Sequence, residues 1–307
     1  MRQYTSLEQL PPPASWLTIG SFDGVHRGHQ EIIRNLVEGA HRQDAQAVVL
    51  TFFPHPSEVL RGQENPFYLT TPVERANVME SLGVDVVISL PFTRDLANVP
   101  AFDFVSELKR KLNLQHLLVG YNFTLGRNRE GDVPTLKRLA DLFDYTLEVF
   151  QPITWEGEVV SSSLVRARLA AGEVRKAAEL LARNYCVTGV VVPGDGRGRP
   201  MGIPTANLAV WPKWMLPANG VYAAWANAAG EGRAAVVNIG QRPTFETTPV
   251  PVRLEAHLLD FDRDLYGEEI GIEFVERLRD EIRFSSGEAL VAQIHQDIQA
   301  ARGILVR

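Results

Sequence analysis

Cysteine is nearly absent: Cys186 is the single one in 307 residues. One thiol excludes an intramolecular disulfide and a cysteine-built zinc site. Its setting, the apolar run YCVTGVVV, reads as that of a small buried residue and not a nucleophile. Positive charge is also scarce, with 31 Lys and Arg against 37 Asp and Glu and a net charge of −6. That argues against an extended nucleic-acid face but leaves room for a local patch that holds a small phosphorylated ligand. No apolar run approaches the roughly 20 residues of a membrane span. The opening residues, MRQYTSLEQLPPPAS, lack the basic-then-apolar order of a secretion signal, so the expected location is cytoplasmic. Internal repeats and low-complexity tracts are missing too. What remains is 45% hydrophobic and 22% charged, an ordinary globular composition at a length that suits two domains.

The two halves have different hydrophobic periods. From Trp16 to about Arg183, short apolar runs (WLTIG, AVVLTF, DVVISLPF, HLLVG, YTLEVF) alternate with helical patterns. In HQEIIRNLVEGAHR, for example, Ile32, Ile33, Leu36, Val37 and Ala40 share one face. Such alternation predicts an α/β half with a mainly parallel sheet covered on both sides. SSSLVRARLAAGEVRKAAELLAR is expected to close this half as one or two helices. Beyond Asn184 the runs shorten and Gly and Pro separate them. In VRLEAHLL, Val252, Leu254, Ala256 and Leu258 alternate with Arg253, Glu255 and His257, the period of a half-buried strand. A small antiparallel barrel or sandwich fits. Ser285, with Glu288 three residues on, reads as the capping box of a last helix. The boundary is placed near residues 183–186.

Chemistry concentrates in a few segments. GSFDGVHRGH follows a strand and opens a helix, where phosphate binds in a doubly wound sheet. Gly20, Gly24 and Gly28 let the backbone approach an anion, and the rings of His26 and His29 can donate to phosphate oxygens. An H-x-x-H pair also suggests metal. A zinc-hydrolase helix, however, spaces its histidines at i, i+4 with Glu beside the first; here the spacing is i, i+3 and the neighbour is Arg27. A structural turn stays open as the alternative. Pro54 and Pro56 stiffen a loop after a strand, either a wall for a flat ring or a rigid turn. Ser162, Ser163 and Arg166 lie near a helix start and suit a triphosphate, while serine capping is the plainer reading. Arg127 and Arg129 suit a mobile loop over phosphates or are solvated charge. In the second half, Gly194, Gly196, Gly198 and Gly202 precede Pro204, Thr205, Ala206 and Asn207. That loop offers backbone N–H groups to phosphates and two neutral oxygens to a hard cation such as Mg²⁺. On pattern alone Glu255 is only the polar face of a strand.

These segments carry a resemblance. GSFDGVHRGH resembles the nucleotide-binding motif of HIGH-type nucleotidyltransferases in the form found in prokaryotic FAD synthetases. TFFPHP, VGYNFTLGRNREGD and VVSSSLVRARL resemble that family's later motifs in the expected order. GIPTANL, with LPANGVYA, VVNIGQRPTF, LEAHLLDF, DLYGEEI and RLRDEIRFSS, resembles riboflavin kinase. The resemblance spans about residues 16 to 301. It implies a Rossmann-like nucleotidyltransferase domain with a parallel sheet over residues 1–183 and a small antiparallel β-barrel kinase domain over 184–307, ending in a helix. The implied activity is bifunctional: riboflavin and ATP give FMN, then FMN and ATP give FAD and pyrophosphate, with Mg²⁺ at both sites. In the nucleotidyltransferase half it implies ATP contacts from Gly20, Phe22, Asp23, Gly24, Gly28, Asn122, Ser162, Ser163 and Arg166, with His26 and His29 catalytic. Phe53, Pro54, His55 and Pro56 form its flavin-side loop. In the kinase half it implies ATP contacts from the four loop glycines, Pro204 and Thr205, with Thr205 and Asn207 on the metal. Glu255 is its catalytic carboxylate, and Arg279, Glu281 and Phe284 line its flavin pocket. Many members have Asp where this chain has Asn122, which weakens a metal role there. Small molecules are the expected partners, with no nucleic acid or membrane. The rivals are an enzyme with one live activity, a nucleotidyltransferase domain fused to a nucleic-acid-binding barrel, and a passive flavin carrier.

Overall fold

The computed structural model describes residues 1–7, 14–62, 67–194, 198, 201–228, 230–240 and 253–306. The chain divides into two compact units: Met1–Asn65 with Thr70–Ser162, and Pro66–Leu69 with Ser163–Arg307. In the first, strands β1 (Arg2–Tyr4), β2 (Ser15–Ile19), β3 (Gln46–Phe52), β4 (Val86–Leu90), β5 (Leu114–Gly120) and β6 (Thr146–Phe150) form one sheet in the order β1-β4-β3-β2-β5-β6. All five pairings are parallel. Each long apolar run of this half has become a strand, and β2 is buried at all five positions, as a central parallel strand requires.

Helices cover both faces. Val48 and Leu50 of β3 pack with Phe104 and Leu108 of α5 (Ala101–Leu112) and Leu136 of α6 (Val133–Phe143). The alternate residues Ala47 and Val49 pack with Ile33 and Leu36 of α1 (Arg27–Arg42) and Met79 of α3 (Pro72–Ser81). Each buried Val, Leu, Ile, Phe or Met side chain contributes about 1.5–3 kcal/mol by leaving water. Between β3 and α3 lies the short α2 (Pro56–Arg61), and α4 (Arg94–Ala97) precedes α5. The chain runs from β2 through β3 to β4 on one side, then returns to β5 and β6 on the other. The adjacent pair β2 and β5 is therefore the switch point, and the crevice outside their carboxyl ends is where this architecture takes ligands.

The sequence pattern missed two features. One is β1, three residues at the sheet edge. The other is a hairpin of β7 (Thr154–Trp155) and β8 (Glu158–Val159), whose turn residues Glu156 and Gly157 both have positive φ. Elements of two or three residues show no measurable period.

In the second unit, α7 (Ser162–Ala170) and α8 (Val174–Leu181) come as two helices. They lead to a closed antiparallel barrel in the order β10-β13-β12-β11-β14-β9. Its strands are β9 (Tyr185–Val192), β10 (Ala206–Val210), β11 (Gly220–Ala228), β12 (Glu231–Gly240), β13 (Arg253–Leu258) and β14 (Glu269–Arg279). The compact units part at 162/163, whereas the division drawn from sequence falls at 183/184. The difference is α7 and α8, which pack with the second unit; for instance, Ala218 N–H donates to Leu169 O. Along β13, Leu254, Ala256 and Leu258 are buried while Glu255 and His257 are half-exposed, so period two holds; Val252 lies outside the described residues. Closure leaves this barrel without a free edge.

Helix α9 (Gly287–Ile304) lies on one outer side, burying Ala301 and Leu305 with Val221, Ala223 and Val236. A part-buried fork fixes it: Arg279 Nε and Nη2 donate to Asp297 at 3.0 and 2.7 Å. The cap of α9 corrects the sequence expectation. Ser286, not Ser285, is the N-cap, and its hydroxyl accepts from Ala289 N–H at 3.2 Å.

Candidate functional site

The turn after β2 is wound tightly. Phe22, Gly24 and Val25 have φ of 48°, 81° and 41°, and left-handed geometry costs a non-glycine residue about 1–3 kcal/mol. What holds it is below the surface. Asp23 is fully buried, and its Oδ1 accepts from Thr70 N–H and Thr70 Oγ1–H at 3.2 and 3.4 Å. Arg75 Nη2 lies 3.7 Å from the same oxygen, with both side chains out of solvent. Gly24 N–H donates to Thr70 Oγ1, and Gln30 Nε2 to Val25 O. Thr51 Oγ1 donates to Ser21 O at 3.0 Å.

His26 ends this turn as the N-cap of α1, its Nδ1 accepting from His29 N–H at 3.3 Å. In the neutral ring that leaves the proton on Nε2. The His26 and His29 rings stack with centroids 3.6 Å apart and 18° between planes. Parallel stacked rings do not converge on one ion. Among the described residues, no group of three or more His, Cys, Asp or Glu is placed to hold a metal. Burial foremost, then His26 and the Arg75 cation, holds the His29 imidazole well below its ordinary pKa. Its Nδ1 is buried without a hydrogen-bond partner. The pair therefore sits at a helix N-terminus, where the N–H dipoles favour an anion.

Other predicted residues follow neighbouring strands. The Phe53–Pro54 peptide is cis, His55 caps α2 through Nδ1 accepting from Ser57 N–H, and Pro56 opens that helix. This loop leaves the end of β3. A cavity of about 410 Å³ opens beside Phe53, lined also by Tyr4, Thr51, Val73 and Arg75. Asn122 is exposed in the turn after β5, across the switch point from the histidines. Arg127 and Arg129 are exposed but anchored: Arg127 N–H donates to Val99 O, and Arg129 Nε to Thr124 Oγ1. Ser162 Oγ donates to Asp23 O at 2.8 Å, both residues belonging to the first unit. Ser163 and Arg166 fall in the second unit. There Ser163 is exposed, while Arg166 Nε donates to Phe67 O at 2.7 Å and its guanidinium lies over the Phe67 ring.

On the barrel the candidate residues line up. Asn207 on β10 is the register partner of Glu255 on β13, Glu255 of Asn238 on β12, Asn238 of Val221 on β11, and Val221 of Arg279 on β14. Directly paired residues point to the same face of a sheet. Three of the predicted residues thus occupy one rung on the outer face. At one end of the rung, a Cβ on Gly194 would sit 2.1 Å from Asn207 Nδ2, so the glycine loop is flush with that amide. Gly198 O accepts from Met201 N–H and Ile203 N–H, folding the loop back before Pro204 and Thr205. Gly202 has φ of 72°, and Gly196 lies outside the described residues. Pro204 O and His257 Nδ1 are 2.7 Å apart. A cavity of about 320 Å³ opens beside Thr205, with Phe261, Leu265 and Tyr266 in its wall. Near the rung's other side, the Glu281 carboxylate and Asn238 amide both lie against Gly240. Arg279 is held by Asp297 and stands 5.9 Å from the Phe284 ring.

Comparison with known proteins matches both halves. The family model described as FAD synthetase covers residues 9–164, and the one described as riboflavin kinase covers 181–305. A bifunctional riboflavin kinase/FMN adenylyltransferase of Bacillus subtilis is 37% identical over 94% of this chain and 91% of its own. The protein of the same name from Escherichia coli is 36% identical over 98% of this chain and 96% of its own. The chain belongs to the bifunctional riboflavin kinase/FMN adenylyltransferase family. A crystal structure titled as a macrolide-efflux protein of Streptococcus pneumoniae also superposes, with TM-score 0.88, 28% identity and 98% coverage of both chains. That title belongs to that protein. Among the described residues here, no helix is long and apolar enough to cross a membrane.

Within this family frame, sequence reasoning passed over several residues. Arg75 and Thr70 hold the turn after β2 from beneath, and Asn238 stands between Glu255 and Val221 on the rung. Nothing local marks Arg75, a charged residue in the first turn of an otherwise ordinary helix. Asn238 was findable, since pairing the strands puts it opposite Glu255.

Proposed function

We propose that the second unit phosphorylates riboflavin and that the first adenylylates the resulting FMN, each step consuming one ATP. Two separate phosphate-type loops, one at a helix N-terminus and one flush against Asn207, support two ATP sites and not one. The sequence division assigns the adenylyltransferase to residues 1–183 and the kinase to 184–307.

For the kinase step, Glu255 is the base: its carboxylate takes the proton as the ribityl hydroxyl attacks the γ-phosphorus of ATP. Backbone N–H groups of the Gly194–Gly202 loop hold the phosphates, and the cavity beside Thr205 is the space for the rest of the nucleotide. Thr205 and Asn207 offer the sparse, neutral oxygen set that Mg²⁺ accepts when phosphates and water complete its shell. Gly194 packs flush against the Asn207 amide, and it is the neutral-oxygen donor set of Thr205 and Asn207 that fits such an ion. Bound there, Mg²⁺ would neutralise charge on the β- and γ-phosphates. Arg279, Glu281 and Phe284 stand on the flavin side.

In the adenylyl step, the FMN phosphate attacks the α-phosphorus and pyrophosphate leaves. That phosphate is already ionised, so no base is needed and the task is positioning and charge stabilisation. His26 and His29 donate to the phosphates from the start of α1, beside Gly20, Phe22, Asp23, Gly24 and Gly28. Asn122 and Ser162 complete the nucleotide contacts within the first unit. Phe53, Pro54, His55 and Pro56 wall the flavin. Mg²⁺ is proposed here too, with its ligands supplied chiefly by phosphate and water.

The deciding experiment supplies FMN and ATP and looks for FAD, then riboflavin and ATP and looks for FMN. Either product missing sinks the two-activity reading. The same assays with and without EDTA test the Mg²⁺ requirement. Small molecules are the proposed partners and the cytoplasm the proposed location.

A further inference from the structure

Arg75 is 1% exposed and sits in the first turn of α3. Burying a guanidinium is costly unless its donors are used. Here the guanidinium engages two segments at once, one through an ion pair and the other through hydrogen bonds from Nη1. Nη2 faces Asp23 Oδ1 at 3.7 Å, beneath the nucleotide turn. Nη1 donates to Thr51 Oγ1 at 3.2 Å and to Phe52 O at 3.5 Å, at the end of β3. Thr51 Oγ1 itself donates a hydrogen bond to Ser21 O, back in the turn. The residue after Phe52 opens the Phe53–Pro56 loop.

We propose that Arg75 is a positioning residue for adenylyl transfer, fixing the distance between the nucleotide turn and the flavin-side loop. It rests on reading the first unit as the adenylyltransferase. The chemistry gives the distance its weight. Without a general base, the rate depends on the FMN phosphate lying in line with the α-phosphorus, and an error near 1 Å can cost about 100-fold. A planar fork can bridge two segments that a single ammonium cannot.

The test uses the full chain with three changes: Arg75→Met, Arg75→Lys, and the double variant Asp23→Asn/Arg75→Met. The double variant removes both charges, so it stays informative should the unpaired Asp23 carboxylate unfold the Met variant. FAD formation is measured over ranges of ATP and FMN, and riboflavin phosphorylation in the same preparations reports on the rest of the chain. Expected is a fall in adenylylation kcat of about 100-fold in the Met and double variants, with KM for ATP moved less than about five-fold. Arg75→Lys keeps the charge but not the fork and stays at least about ten-fold down. Riboflavin phosphorylation is unchanged throughout. The proposal is overturned if the double variant keeps kcat near wild type, if Lys restores it fully, or if the loss lies wholly in KM for ATP. His29→Ala is run alongside. Should that variant still make FAD at the normal rate, the site reading itself has failed and not the inference about Arg75.

Discussion

The two units hold their candidate residues by opposite means. In the parallel-sheet unit they sit on loops after β2, β3 and β5 and converge only because the strand ends converge. On the barrel, Asn207, Glu255 and Arg279 sit on the strands, and the ladder register itself aligns them. A loop-borne site needs separate anchors, and the first unit has them: Asp23 with Arg75 and Thr70, and two non-glycine residues in left-handed geometry. A strand-borne site takes its alignment from the sheet, with Asp297 of α9 as an added anchor at Arg279. Substitutions should therefore act differently in the two, through anchors in one and through direct contacts in the other.

The largest effect should be a double dissociation. His29→Ala is expected to lower FAD formation by at least about 100-fold while FMN formation continues, because a donor to the transferring phosphoryl group is lost. Glu255→Ala should lower FMN formation by about 100- to 10,000-fold and spare adenylylation of added FMN. Product assays on both variants check this. If one substitution abolishes both activities in a folded protein, the contrast between independent sites collapses.

Gly194→Ala sharpens the comparison on the barrel side. Its new Cβ would meet the Asn207 amide at 2.1 Å, and the atom it meets is the end of a side chain, free to swing away. The cost should therefore fall on catalysis and not stability: kinase activity down about ten-fold or more, with the melting temperature nearly unmoved. A large drop in melting temperature would show that the loop, not Asn207, bears the clash.

His29 gives the matching pH test in the first unit. Its folded pKa lies well below the ordinary value near 6.5. With a depressed folded pKa, the neutral ring's stabilisation is present above pH 6.5 and is lost as pH falls below it. Wild type should lose stability on acidification through that window, and His29→Asn should lose less. Melting temperatures from pH 7.5 downward for both proteins decide it; parallel curves would mean that His29 is not desolvated.

Legibility follows the length scale of each feature. All five long apolar runs of the first half became strands, and the period-two reading of β13 held, because burial of a whole face imposes a pattern that survives in sequence. Edge strand β1 and the β7–β8 hairpin left none. The rung that joins Asn207 to Glu255 and Arg279 could not be read before the strands were paired. Arg75 was the least visible, since its partners Thr51, Phe52 and Asp23 are more than 20 residues away.

The helix caps show the same limit at the smallest scale. Ser285 and Glu288 match the S-x-x-E pattern, yet the cap of α9 is Ser286, one residue on. A reciprocal box among the described residues is instead at Thr71 and Glu74, just before Arg75. Thr71 Oγ1 accepts from Glu74 N–H, and the Glu74 carboxylate accepts from Thr71 N–H. A four-residue pattern tolerates a shift of register because serine at either site offers the same hydroxyl; which one caps depends on where the preceding chain leaves β14. Ser286→Ala should therefore cost about 1 kcal/mol, while Ser285→Ala should stay within about 0.5 kcal/mol. Denaturant melts of the two variants separate them, and equal effects would mean that the two hydroxyls share the cap. The loss would fall on α9, whose Asp297 holds Arg279 at the end of the rung, so Ser286→Ala should also raise KM for riboflavin slightly and leave FAD formation from FMN untouched.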